Sequence, residues 1–491
     1  MQKTFYDYFS ELTHIPRPSH NEDKAADFLC RFAVEHNLKY RRDVQNCVVI
    51  EKPASPGCEN ADPIVILNHM DMVCVAKDGY LRDGRPFNPL TDEIRPYIEK
   101  DENGARWMKA EGTSLGADNG MGLSMALAIL ADDTLVHPAL EVLTTTNEED
   151  GMSGAEALSL DFIRGRKVIN LDSEAYDEIT VGAAGACLQV AHCQPKWKKV
   201  PEGYIFRRIV IDGGLGGHSG VDINKERCNG NKTLFGKYLF ECLEDMVSGK
   251  MLVCAMNGGT ANASIASWAE AIVAIKPEYE GALKENISNW CADLSNEYGT
   301  TDPHLSLRME EASHADDFLS NATDIIRGIN NLPFGVIAMR KDMPGTVMTS
   351  NNIGVVRTTA EDLSVSCHTR SFSNTEQREL ADNIKAICIE FFADKGVEEL
   401  MDTGAWMERE DSPLLSLTCQ TFKDVLGFEP KKVAMHFVLE AAYYVEKYPG
   451  IEMASIGPLI IEPHSTSERV NLDTADNIWR VTIELLKRLT N

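Results

Sequence analysis

The sequence predicts an α/β fold, a mixed, mostly parallel sheet with helices on both faces, interrupted by an inserted α+β domain. Three observations lead to it. Short apolar, β-branched runs alternate with helical periods early in the chain, as strands do when they feed crossover helices. The pattern changes between residues 187 and 406, where alternating strands and longer helices appear, and returns after 407. The length of 491 residues exceeds what one hydrophobic core ordinarily serves. The first domain is therefore assigned to 1–186 and 407–491, and the insertion to 187–406.

Taken in order, Ser19-x-x-Glu22 reads as a capping box ahead of apolar positions Ala25, Phe28, Leu29, Phe32 and Ala33 at helical spacing. A strand follows at Cys47–Ile50. The run Ile64-Val65-Ile66-Leu67-Asn68 reads as a buried strand and leads into His69 and Asp71, which lie two apart and so share a face. Residues 77–110, rich in Gly, Pro, Asp and Arg, form an irregular excursion with short strands. Gly112–Gly122 precedes a buried helix over Leu123–Leu130, which places Asp118 at or just before a helix N-terminus. An ordinary N-cap is one reading of Asp118; no Gly-Lys-Ser/Thr follows to make a phosphate loop.

Strand 140–146 ends in Asn147-Glu148-Glu149-Asp150, and strand 167–171 ends in Asp172-Ser173-Glu174. Adjacent acids repel; solvation on a loop or a bound cation each offset that repulsion. In open α/β sheets, sites form beyond the carboxyl ends of the strands. His69, Asp118, Glu149 and Asp172 supply the imidazole and carboxylate donors that suit zinc, cobalt or manganese.

In the insertion, 204–211, 269–276, 335–339 and 364–372 read as strands, and 230–247, 279–298 and 375–393 as helices. Asp411-Ser412-Pro413 opens a helix that Gly427 stops. A strand near 453–457 and a helix from Thr474 to Leu489 complete the first domain.

The 75 acidic and 48 basic residues leave a formal charge of -27, which argues against nucleic acid as a partner. No apolar stretch reaches membrane-spanning length, so no membrane association is expected. Thirteen cysteines without a C-x-x-C pair or a signal-peptide core fit reduced thiols and a cytoplasmic location.

Six segments together resemble the di-zinc metallopeptidases of the aminoacylase and carnosinase group, and within it the bacterial aminoacyl-histidine dipeptidases. They are His69-Met70-Asp71-Met72-Val73, Leu115–Gly120, Glu148-Glu149 with Gly151 and Gly154-Ala155, Asn170–Glu174, Gly216–Gly220, and Pro463-His464-Ser465 with Glu468-Arg469-Val470. The resemblance implies two zinc ions bridged by Asp118, with His69 and Asp172 completing one site and Glu149 and His464 the other. It implies that Asp71 orients His69 and that Glu148 is the general base acting on a zinc-bridged water. It also makes the insertion a lid whose His218 stabilises the oxyanion, whose Arg370 holds the substrate carboxylate and whose Asn262 touches substrate. A homodimer is implied as well.

Three segments depart from the family pattern. His436-Phe437-Val438-Leu439-Glu440-Ala441-Ala442 stands where relatives have His-Ala-Gly-Leu-Glu-Cys-Gly. Ala263–Trp268 replaces Ala-Ile-Pro-Arg-Glu after the lid asparagine, and Ala184-Gly185-Ala186 replaces Ala-Gly-Gly. The metal-site segments survive while the substrate side is altered. The function expected is hydrolysis of small peptides, of aminoacyl-histidine type. Deacylation of N-acyl amino acids, trimming of other small peptides and peptide binding without turnover are the alternatives.

Overall fold

Strand Gly185–Cys193 explains where the chain changes from one unit to the other. Gly185 and Ala186 already pair with Ser371 and Arg370 in a second sheet, so the break falls at 182/183 rather than at 186/187. In the computed structural model, which describes residues 3–490, the first unit comprises the chain up to Gly182, Trp406–Ala434 and the residues from Glu440 onward. The second comprises Ala183–Ala405 and Met435–Leu439. The short 435–439 segment, assigned above to the first domain, groups with the second unit.

The first unit is built on a nine-stranded mixed sheet. Strand Ile64–His69, buried at every position, lies at its centre. It runs parallel to Leu140–Thr145 on one side and to Lys167–Asn170 on the other. Glu452–Ser455 extends the parallel core, and antiparallel strands flank it on both sides. A strand buried on both faces must be apolar throughout, which is why Ile64–Leu67 shows no alternation. Each such aliphatic side chain contributes about 1.5–3 kcal/mol through burial. Because the three central strands are parallel, the residues that follow them emerge at one end of the sheet.

Helix Pro413–Leu426 starts and stops as its sequence predicts. The Ser412 hydroxyl accepts the Leu415 N–H, and Gly427 ends the helix at φ 83. The Ser19-x-x-Glu22 segment behaves differently. Helix Asp23–Glu35 has no side-chain cap. The Ser19 hydroxyl donates instead to Asp71, and Glu22 accepts the N–H groups of His20 and Asn147. A distant carboxylate and a distant loop outcompete the local cap.

The second unit carries a nine-stranded sheet whose pairings, where registered, are antiparallel. Helices Glu280–Tyr298, Ala322–Asn331 and Asn374–Phe391 pack Leu283, Trp290, Ile325, Ile329 and Ile384 into one cluster with Ile209, Val253, Val273 and Val365 of the strands. The helix expected over 230–247 is broken into a π turn at Lys232–Tyr238 and two short α segments. No described helix is long and apolar enough to cross a membrane. All thirteen cysteines are free.

Candidate metal centre

The ends of the parallel strands bring the acidic and imidazole residues of the first unit together. His69 is the last residue of its strand, Glu148 and Glu149 follow Leu140–Thr145, and Asp172 follows Lys167–Asn170. Asp118 sits at a kink near the start of helix Ala117–Ala131, with φ -80 and ψ 120 outside the helical range. It does not cap that helix: Gly116 is the N-cap, and the carboxylate of Glu468 accepts the N–H groups of Leu115, Gly116 and Ala117 at 2.7, 2.9 and 2.7 Å. Its own carboxylate is therefore left for other work. His464 lies in the loop between Ile460–Ile461 and Arg469–Asn471, at φ 58.

Asp118 lies between the two histidines. Its Oδ1 is 3.1 Å from His69 Nε2, and its Oδ2 is 3.2 Å from His464 Nε2. His69 Nε2 is also 3.3 Å from Asp172 Oδ1, and His464 Nε2 is 2.8 Å from Glu149 Oε2. All five residues thus converge, as two triads that share Asp118. Glu148 Oε2 stands 4.0 Å from His69 Nε2. On the far side of the ring, His69 Nδ1 is 3.1 Å from the Asp71 carbonyl and 3.4 Å from Asp71 Oδ1. The same Asp71 carboxylate accepts the N–H groups of Glu148 and Glu149, each at 3.1 Å. Asp71 therefore governs the His69 ring and the backbone of both glutamates.

So many acids cannot all stay ionised in a buried space. Burial, with the charge of neighbouring acids, pushes Asp172 up to about 7 and Glu174 up to about 8. Burial likewise raises Glu148 far above the usual carboxylate range and Glu440 to about 8. Burial also acts on Asp118, but the two histidines outweigh it and hold its carboxyl well below that range. Hydrogen bonds to Asp118 and Glu149 raise His464 to about 11. Buried Glu149 Oε1 and Asp172 Oδ1 accept no hydrogen bond. Crowded carboxylates, orphaned acceptor oxygens and two imidazoles, that of His69 held from behind by Asp71, suit a divalent cation site. The residues fit one.

The sequence profile of peptidase family M20/M25/M40 matches residues 65–488. The chain belongs to this family. It is 32% identical over 486 residues to the cytosol non-specific dipeptidase of Escherichia coli, covering 99% of this chain and 97% of the relative. Among solved structures it resembles the aminoacylhistidine dipeptidase of Vibrio alginolyticus, with TM-score 0.85, 30% identity and coverage of 99% and 96% of the two chains. Aminopeptidase PepT of Bacillus cereus shares the fold at TM-score 0.60 and 15% identity, over 100% of this chain and 99% of that one. As an M20 peptidase the chain is a metal-dependent hydrolase, and the cluster just described holds candidate donors for its divalent metal centre.

The remaining sequence-predicted residues of this M20 chain belong to its second unit. Arg370 is buried and donates to Ser219 Oγ at 3.2 and 3.4 Å; burial lowers it to about 10. His218 Nδ1 accepts the N–H groups of Gly220 and Val221, each at 3.2 Å, which leaves Nε2 as the donor. Burial and the Arg370 charge bring His218 down to about 4, so the ring is neutral at pH 7. The Asn262 carbonyl is 3.5 Å from Asn352 Nδ2. His436 Nε2 lies 2.8 Å from Ser350 Oγ, and Val438 is two residues further on.

Sequence reasoning gave no site role to Glu174, Glu440, Arg17 or Glu468. Glu174 joins Asp118 and His464 in a group whose donor atoms lie within 4.8 Å of one another; its place two residues after Asp172 was the available signal. No local pattern pointed to Arg17.

Proposed function

We propose that the chain hydrolyses dipeptides at a pair of divalent cations held by His69, Asp118, Glu149, Asp172 and His464. The observation that carries the reading is the position of Asp118, one oxygen facing His69 and the other facing His464. A carboxylate so shared suits a bridging ligand, with Asp172 completing one site and Glu149 the other. Zinc is the metal proposed, and the same donors accept cobalt or manganese. When bound, such a pair supplies positive charge that acidifies water and polarises a peptide carbonyl.

The chain's own residues do the rest. Glu148, with Oε2 4.0 Å from His69 Nε2, is placed to take a proton from the attacking water and deliver it to the departing amine. Asp71 keeps the His69 ring in place and anchors the Glu148 backbone. In the second unit, His218 donates from Nε2 to the developing oxyanion, and neutral imidazole is the right form for it. Arg370, buried with a hydroxyl as its partner, suits a substrate carboxylate, which its fork binds through two oxygens. Asn262 is proposed as a further substrate contact. In this reading the second unit is a lid and the protein a cytoplasmic homodimer.

Two relatives name the substrate class differently, one as non-specific dipeptides and one as aminoacylhistidine. Val438 and the altered 263–268 segment depart from the family pattern on the substrate side, so strict histidine specificity is not carried over, and a broad dipeptide range that includes aminoacyl-histidine is the reading adopted. The test is a panel of Xaa-His dipeptides, other dipeptides and N-acetyl amino acids on zinc-loaded protein, beside Glu148→Gln. Dipeptide turnover is expected, falling 10²–10⁴-fold in the variant with zinc still bound. Turnover confined to N-acetyl amino acids overturns the substrate class, and an active Glu148→Gln overturns the assigned base.

A further inference from the structure

We infer that Arg17 and Glu468 are positioning residues for Asp118, gripping one peptide unit, that joining Gly116 to Ala117, from opposite sides. This rests on the metal-centre reading above. Glu468 takes the Ala117 N–H at 2.7 Å, and Arg17 gives a 2.6 Å hydrogen bond to the Gly116 carbonyl of the same peptide. Both side chains are buried, at 3% and 1% exposure. Arg17 also donates to the carbonyls of Met70 and Asp71, at 3.0 and 2.9 Å. One guanidinium thereby joins the end of the His69 strand to the loop that delivers Asp118.

The arrangement has a physical logic. A helix N-terminus leaves N–H groups unpaired and attracts an anion. In the turn that leads into helix Ala117–Ala131, the N–H groups of Leu115, Gly116 and Ala117 are taken from far along the chain by Glu468, four residues after His464. The carboxylate that caps the helix of Asp118 is thus carried by the same loop as the second histidine. Gly116 is the point of contact because its φ of 69 is open to glycine, and a Cβ there would come within 2.8 Å of the Arg17 guanidinium and 2.4 Å of Met72 Sδ. Two buried groups of opposite charge, from the two ends of the chain, hold three of the metal donors in register: His69 through the 70–71 carbonyls, Asp118 through its helix, and His464 through its loop.

The experiment measures zinc dissociation constants by chelator competition on the full chain, with circular dichroism and melting of the metal-free forms alongside. The variants are Glu468→Gln, Arg17→Lys, their combination and Asp118→Asn. Gln keeps one acceptor oxygen but turns an NH₂ towards the amides; Lys keeps the charge but loses the fork. Each single variant is expected to bind zinc 10- to 100-fold more weakly, and the pair together by no more than the larger single effect, because both act on one peptide unit. A merely structural role would lower the metal-free melting temperature and leave the zinc constant of the folded protein unmoved; that result overturns the inference. If Glu468→Gln does not fold, Arg17→Lys decides alone by the same criterion. Asp118→Asn is the separate control: wild-type zinc affinity in that variant removes the metal-centre reading itself, whatever the other two do.

Discussion

Asp71 accepts the backbone N–H of Glu148 at 3.1 Å, so the residue behind the His69 ring also anchors the proposed general base. Its second oxygen takes the N–H of Glu149 and the hydroxyl of Ser19. Replacing it with Asn puts an NH₂ where one of those N–H donors now points. Asp71→Asn is expected to lower kcat/KM about 10- to 100-fold and to weaken zinc binding by a similar factor. Steady-state kinetics and chelator competition check both.

Metal removal destabilises the first unit. The cluster concentrates acids whose repulsion a divalent ion offsets, and a ligand that binds only the native state stabilises by mass action. At free zinc 100 times its dissociation constant the gain is about 2.7 kcal/mol. Melting of chelated protein against zinc-loaded protein should show an upward shift that grows with zinc concentration. An unchanged melt across that range counts against the metal centre.

In the second unit, His436 titrates well below an ordinary histidine. Burial lowers it to about 3, with the charges of Arg370 and His218 adding to the effect. The unfolded ring takes a proton near pH 6.5 and the folded ring does not, so its contribution is fully present above pH 6.5 and is lost as pH falls towards 3. At pH 4.5 the loss is about 3 kcal/mol. His436→Gln removes that dependence: urea unfolding at pH 7 and pH 4.5 should show the variant gaining on the wild type in acid. A constant gap between them sinks the assignment.

Gly122 lies where helix Ala117–Ala131 meets the end of the Lys167–Asn170 strand. A Cβ at this position would stand 2.1 Å from Asn119 Oδ1 and 2.3 Å from the Leu171 carbonyl. Backbone cannot yield as a flexible side chain does, so Gly122→Ala is expected to cost about 1–3 kcal/mol. Because Leu171 precedes Asp172, zinc affinity should fall with it. Urea denaturation and zinc titration of the same preparation test the pairing.

The strand ends were legible because their signal is local. Ile64–Leu67 is apolar at every position, and His69 with Asp71 follows at a spacing that sets both side chains on one face. Ser19-x-x-Glu22 misled for the complementary reason: its residues suit a capping box, but Asp71 and the Asn147 N–H, far along the chain, claim them. The helix at Ala322–Asn331 and the broken one after Lys232 were likewise settled by packing against the second sheet.

The sequence by itself determined which residues stand at strand ends, that they are donors of the right chemistry, and, through six ordered segments, the family. Only the tertiary structure decided that the Asp118 carboxylate is left free of the helix entrance, with Glu468 taking the N–H of Ala117 across 351 residues, and that Arg17 holds the carbonyl side of the same peptide. Periodicity and spacing report neighbours within a few positions. A buried carboxylate and a buried guanidinium choose their partners by where desolvation forces them to find hydrogen bonds, and that is known once the chain has folded.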